Sequence, residues 1–386
     1  MNRDYNHAND RIRRYFSRRT AVVGLLLAVA LTAAYFAVRA YLAQVPLGPQ
    51  QTVVTLNPKM GVHTRLTDEA EAWKIKRSLE MVREMGAPWI VEYFPWAYYE
   101  PQPGHFEWNH PDTVIAHANR QGLTVVARLG FVPEWARPQE TIPLYLDEAH
   151  YEDFGRYAAA FAARYRGQVS HIILWNEPNL SQEWGFRPVD PESYTQLLRV
   201  VYPMVKAANP EVLVLGGALA PTLAPPGSEW GLDDLIYLQR MYDAGAAAYF
   251  DVMAAQGYGL WSGPTDQRMQ PRVMNFGRPQ YIRDVMVANG DGAKALWISE
   301  MNWNAAPVDV EARYGRVSLA QQAAYLPLAY QRIRDEWPWL GVANVWYLKR
   351  ATDVWEQNRQ PEAFFRLLAP DFTPMPVYEA MKEIGD

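Results

Sequence analysis

From residue 57 onward the chain alternates short apolar, β-favouring runs with longer stretches whose apolar positions recur every three to four residues. The short runs end near His63, Tyr93, Gly130, Glu177, Gly217, Tyr258, Glu300 and Tyr347, at intervals of 30 to 47 residues. Between them lie helical patterns over Asp68–Met85, Tyr151–Tyr165, Pro191–Ala208, Asp233–Ala244 and Leu319–Glu336, and Pro376–Ile384 closes the series. Eight strand–helix units of about forty residues fit an α/β chain closed into a (β/α)8 TIM barrel. A doubly wound sheet would want a Gly-x-Gly-x-x-Gly turn after its first strand, and this chain has none. In such a barrel, groups that do chemistry stand at the carboxyl ends of the strands.

The N-terminal pattern is different. Thr20 to Val38 is nineteen residues without a charge, apolar on every face, which as a helix spans roughly 28 Å, about the thickness of a bilayer core. A signal peptide is the rival reading, but its apolar core is usually shorter and no small-x-small cleavage site follows. The expected organisation is a basic cytoplasmic segment over 1–19, a single transmembrane helix over 20–43, a Pro- and Gly-containing tether over 44–56, and the barrel over 57–386. The basic residues before the apolar run place the N-terminus inside, so the barrel is expected on the extracytoplasmic side of the cell membrane.

Charge sharpens this division. Residues 1–20 hold six arginines against Asp4 and Asp10, net +4, whereas the whole chain is −5, so residues 21–386 carry −9. An acidic main domain argues against nucleic acid and against strongly anionic polymers as substrates. There is no cysteine, which excludes disulfides and thiol chemistry. The seven histidines show no His-Glu-x-x-His spacing, so neither a metal nor another cofactor is expected.

Two strand ends carry the candidate chemistry. His171-Ile-Ile-Leu174 runs into Trp175-Asn176-Glu177-Pro178, and Ala295-Leu-Trp-Ile-Ser-Glu300 repeats the design further on. Two strand-end glutamates are what cleavage of a glycosidic bond requires: one protonates the leaving oxygen, the other attacks the anomeric carbon or activates water. By strand count, Glu177 ends the fourth strand and Glu300 the seventh.

In that placement the chain resembles the retaining glycoside hydrolases of clan A over roughly residues 57–386, of the cellulase-like family 5 or the xylosidase-like family 39 type. The loop Phe94-Pro-Trp-Ala-Tyr-Tyr-Glu-Pro-Gln-Pro-Gly-His-Phe-Glu-Trp-Asn109 resembles the clan's loop after strand two. The resemblance implies Glu177 as acid/base, Glu300 as nucleophile, Asn176 as holder of the sugar 2-hydroxyl, Tyr258 as a partner of the nucleophile and Trp346 as the floor of the subsite for the cleaved sugar. It departs from the clan where strand two offers no arginine, and where Gln256 and Met301 replace residues common at those places. Arg128 is a candidate substitute for the missing arginine. His63 stands near the same mouth, and Trp303, Trp96 and Trp135 lie just past strand ends as candidate sugar-stacking platforms. The expected activity is hydrolysis of a β-linked oligo- or polysaccharide by double displacement. Alternatives are a non-catalytic carbohydrate-binding barrel, and a transglycosylase or polymer-trimming accessory of envelope polysaccharide export.

Overall fold

The structure is a computed structural model that describes residues 22–23, 25–27, 29–32 and 45–385. The chain divides into two compact units, residues 1–46 and 47–386. In the first, the described residues between 22 and 32 are helical and exposed. The remainder of the expected anchor, and the basic segment before it, lie outside the described residues. Among the described residues no helix is long and apolar enough to cross a membrane.

The second unit is the barrel. Short helical turns in the loops aside, its strands and helices alternate: β1 (Met60–His63), α1 (Ala72–Glu84), β2 (Trp89–Pro95), α2 (Asn109–Arg120), β3 (Thr124–Gly130), α3 (Tyr151–Arg164), β4 (Val169–Leu174), α4 (Pro191–Ala208), β5 (Leu213–Leu219), α5 (Asp234–Asp243), β6 (Val252–Gln256), α6 (Arg278–Ala288), β7 (Leu296–Met301), α7 (Leu319–Glu336), β8 (Leu340–Val345) and α8 (Pro376–Gly385). Neighbouring strands pair in parallel, and β8 closes on β1 through Met60↔Ala343 to Val62↔Val345. The apolar periodicity thus located eight strands and six helices. The stripe of α6 is interrupted, since it buries Ile282 and Met286 but Arg278 and Pro279 occupy the positions one turn earlier, whereas α2 buries Pro111, Val114, Ile115 and Ala118 along one face.

Side-chain alternation divides the apolar residues between two cores. Inside the barrel pack Val91, Val126, Ile173, Leu215, Val252, Ala254, Trp297 and Val342. Low in the barrel Trp297 meets Trp89 edge-on at 5.2 Å and His171 at 4.6 Å between ring centres. The other face of each strand packs against the helices in a larger layer that includes Ile90, Val125, Ile172, Leu198 and Leu326. Polar caps fix where helices begin. Asp190 accepts the amides of Glu192 and Ser193 at the start of α4, Asp233 accepts those of Leu235 and Ile236, and Ser318 and Gln321 form a reciprocal box on α7.

Residues 47–56, expected as part of a tether, lie along the barrel instead. Gln51 donates its amide to the Arg120 carbonyl and Leu56 to that of Gly385, at the carboxyl ends of α2 and α8. Those helix ends sit at the amino ends of the strands, opposite the mouth where chemistry is expected.

The inner layer is apolar and buried, so truncating it leaves a cavity. Leu215→Ala is expected to cost about 2–5 kcal/mol, read as a lowered midpoint in urea unfolding. An unchanged midpoint would contradict the packing of that layer.

Candidate active site

Alternation along the strands determines which side chains reach the mouth. Continuing the inward-facing series by two residues leads from Gly61 to His63 on β1, from Val91 to Tyr93 on β2, from Val126 to Arg128 on β3, from Ala254 to Gln256 on β6, and from Asn344 to Trp346 just after β8. The mouth is therefore polar directly above an apolar interior.

The two glutamates arrive by departures from that rule. On β7 the inward series is Trp297 then Ser299, whose hydroxyl donates to Gln256 Oε1 at 2.8 Å. Strict alternation would turn Glu300 toward the helices. The ladder shifts register against β6 between Ala255 and Gln256, and against β8 between Ile298 and Met301. Such an irregularity re-aims a side chain, and here it accompanies the turn of Glu300 into the mouth. On the other side β4 stops at Leu174, three residues before its expected end. Trp175 and Glu177 both take left-handed backbone, with φ of 74° and 43°, a conformation uncommon for residues with a side chain. Trp175 is turned outward, packing against Phe154 and Trp184. The Glu177 amide is pinned to the Ala218 carbonyl at 3.1 Å.

Glu300 is nearly buried and held by two donors. Arg128 Nη1 reaches its Oε1 at 2.6 Å, and the Tyr258 hydroxyl reaches Oε2 at 2.7 Å. Arg128 Nη1 also donates to Asn176 Oδ1 at 3.0 Å, and the guanidinium lies 5.1 Å over the Tyr93 ring. The arginine absent from β2 is thus replaced from the neighbouring strand. Burial, reinforced by the Glu300 charge, pushes the Tyr258 phenol far up, so it remains a proton donor. His63 stands 3.9 Å from Glu300, but burial lowers its pKa to about 4. Neutral at ordinary pH, it donates Nε2–H to the Ser299 carbonyl at 2.8 Å rather than forming an ion pair.

Glu177 lines the same cleft, partly exposed to it while enclosed by its walls. Its pKa is raised well above the ordinary value, first by burial and then by the charges of Glu300 and Glu183, with Arg128 opposing. Glu183 was not foreseen. It lies seven residues beyond Asn176 in a loop without strand or helix pattern, and its carboxylate accepts Asn176 Nδ2 at 3.4 Å. Burial raises its pKa as well.

The cleft has a volume of 690 Å³ and brings together Arg128, Asn176, Glu177, Tyr258, Glu300 and Trp346. Arg65, Trp230 and Trp355 also line it and were missed; Arg65 lies only two residues past the end of β1, a position that could have signalled it. The three other tryptophans expected as platforms are not there. Trp303 is fully buried, its indole bonded to the Ser262 carbonyl at 2.7 Å and packed against Phe276 and Tyr325. Trp96 donates to Glu100 at 2.5 Å and stacks on Tyr157 of α3. Trp135 donates to the Glu100 carbonyl and meets Trp96 edge-on. These loops fold back on the helical layer, so their aromatics become core.

Comparison with known proteins agrees with the barrel fold. The glycoside hydrolase family 42 model, described as beta-galactosidase, matches residues 67–175. No curated protein matches the chain. Among solved structures, a family 39 glycoside hydrolase from Bacteroides cellulosilyticus WH2 is similar with a TM-score of 0.67 and 23% identity, over 85% of this chain and 63% of that one. This chain therefore spans less than two thirds of that enzyme. A monomeric beta-xylosidase from Caulobacter crescentus CB15 is similar with a TM-score of 0.61 and 18% identity, over 86% and 69%. The exo-beta-1,4-mannosidase Op5Man5 from Opitutaceae bacterium strain TAV5 has a TM-score of 0.60 and 16% identity, over 88% and 61%. The barrel and the partial family match are consistent with the resemblance to clan A retaining glycoside hydrolases that the motifs around Glu177 and Glu300 carry.

Proposed function

We propose that the chain is a retaining glycoside hydrolase acting on a β-linked oligo- or polysaccharide, with Glu300 as nucleophile and Glu177 as acid/base. One contrast carries this reading: within a single cleft, Glu300 is gripped as an acceptor by Arg128 and Tyr258, while Glu177 is held toward its protonated form. In the first step Glu300 attacks the anomeric carbon as Glu177 gives its proton to the leaving oxygen. Glycosylation removes the Glu300 charge, one of the causes that raise the Glu177 pKa, so Glu177 can then ionise and take a proton from the attacking water. The Asn176 oxygen is already engaged by Arg128 and Gln256 and one amide hydrogen faces Glu183, which leaves the second N–H for the hydroxyl beside the anomeric carbon. Trp346 supplies a flat face for the sugar ring.

Glu300→Ala is expected to abolish turnover of aryl β-glycosides, and near wild-type activity in that variant would overturn its role. Glu177→Ala should lose roughly 10²–10⁴-fold on substrates with poor leaving groups and recover in part with azide. Binding of oligosaccharide without release of reducing ends by the wild type would instead favour a carbohydrate-binding barrel.

The raised Glu177 pKa also sets a pH dependence. The acid form persists above the ordinary carboxyl range and is lost as pH rises through its raised value. The kcat/KM profile should therefore hold beyond that range and then fall, and Glu177→Gln should remove this alkaline limb. A limb unchanged in that variant would assign it to another group.

We further propose that residues 20–43 cross the membrane once, with residues 1–19 cytoplasmic and the barrel outside. The uncharged nineteen-residue run behind six arginines supports this. The full chain should sediment with membranes, resist high salt and be released by detergent; recovery in the soluble fraction would refute the anchor.

A further inference from the structure

A second cavity, of 200 Å³, opens beside the catalytic cleft and shares Arg65 and Arg128 with its lining. Its walls come from the carboxyl ends of β1, β2 and β3 and from Arg350 in the loop after β8. At ~30 Å³ per water it has the room of about seven waters, comparable with one sugar ring. Tyr98 and Phe131, 5.6 Å apart and edge-on, give it an aromatic side.

Its charge is unbalanced. Three guanidiniums line it, from Arg65, Arg128 and Arg350, against one carboxylate, Asp68. Arg128 is committed to Glu300 at 2.6 Å. Asp68 is shared between Arg350 at 3.1 Å and Arg65 at 3.7 Å. His63 adds no charge. One positive charge therefore faces the cavity without a counterpart in its lining.

The two arginines are also held in place. Arg65 has left-handed backbone, φ 54° and ψ 41°. Its guanidinium lies 5.2 Å from the Trp355 ring and 6.0 Å from that of Tyr347, and that of Arg350 lies 3.8 Å from Trp355. Two like charges thus share one indole, and Arg65 Nε is buried without a hydrogen-bond partner. Burial and the neighbouring Arg65 charge lower the Arg350 pKa, as expected for cations gathered without enough anions. Planar guanidiniums fixed by stacking are suited to a planar carboxylate.

We propose that this cavity is a subsite for an acidic sugar, in which Arg65 and Arg350 hold the carboxylate of a uronic acid residue next to the sugar being cleaved. The substrate class is then a β-linked glycan containing uronic acid, a deepening that rests on the glycosidase reading above. The net charge of −9 over residues 21–386 argued against anionic polymers, but it is an average over the surface, whereas the sugar meets the local excess of positive charge.

The test is calorimetric, with the full chain carrying Glu177→Gln so that ligand is not consumed. The probes are β-linked oligosaccharides of equal length, with and without one glucuronic acid residue. The acidic oligosaccharide is expected to bind at least tenfold more tightly. Adding Arg350→Gln or Arg65→Gln should erase that preference, and Arg350→Lys should retain part of it. Equal affinities, binding of neither probe, or a preference surviving both glutamine variants would overturn the proposal. Tight uronate binding by a wild-type chain that releases no reducing ends would sink the glycosidase reading and keep the subsite. Equal turnover of both oligosaccharides by the wild type would keep the glycosidase and sink the subsite.

Discussion

The mouth of this barrel is organised around the Arg128–Glu300 ion pair. Both groups are nearly buried, and the pair is extended by the Arg128 bond to Asn176 and the Tyr258 bond to Glu300. Burial works against the Arg128 charge, yet Glu300, joined by Tyr93 and Glu183, more than offsets it and raises the arginine pKa. Removing one partner of a buried pair strands the other, at a cost on the order of 3–5 kcal/mol. One guanidinium therefore ties β3 to β7 and to the loop after β4, which are the elements that carry the candidate catalytic groups.

The same pair polarises the cleft. The Glu300 charge, acting across an enclosed space, adds to burial in holding a proton on Glu177, and it also keeps the Tyr258 phenol from ionising. Because the Arg128 charge is spent on Glu300, it does not contribute to the positive excess of the neighbouring cavity. That excess belongs to Arg65 and Arg350, whose positions depend on Trp355. The acidic and basic sides of the mouth are thus separate features built on different loops.

The cleft is also a place where backbone regularity is given up. Left-handed Trp175 and Glu177 on one side, and a slipped ladder beneath Glu300 on the other, bring two side chains to positions that even-handed strands would not supply. Around them regular alternation delivers His63, Tyr93, Arg128 and Gln256. Irregular elements present the two carboxyls, and regular ones hold them. This arrangement fits a site that needs fixed geometry on a rigid scaffold.

Much of this was legible in the chain. Strand and helix periodicities are local, so eight strands and six helices could be counted, and the count placed Glu177 and Glu300 at one rim. Arg128 stood out as a candidate partner of Glu300 because the strand count put it near the same mouth. The fate of individual aromatics did not follow: Trp346 reaches the cleft, whereas Trp303, Trp96 and Trp135 turn into the helical layer, because that choice is made by loop paths and by distant acceptors such as Ser262 and Glu100. Glu183, Trp355 and the joint action of Arg65 with Arg350 were hidden for the same reason. Periodic burial is written within a segment of a few residues, whereas a pocket is made of residues hundreds of positions apart, and only closure of the barrel decides which of them meet.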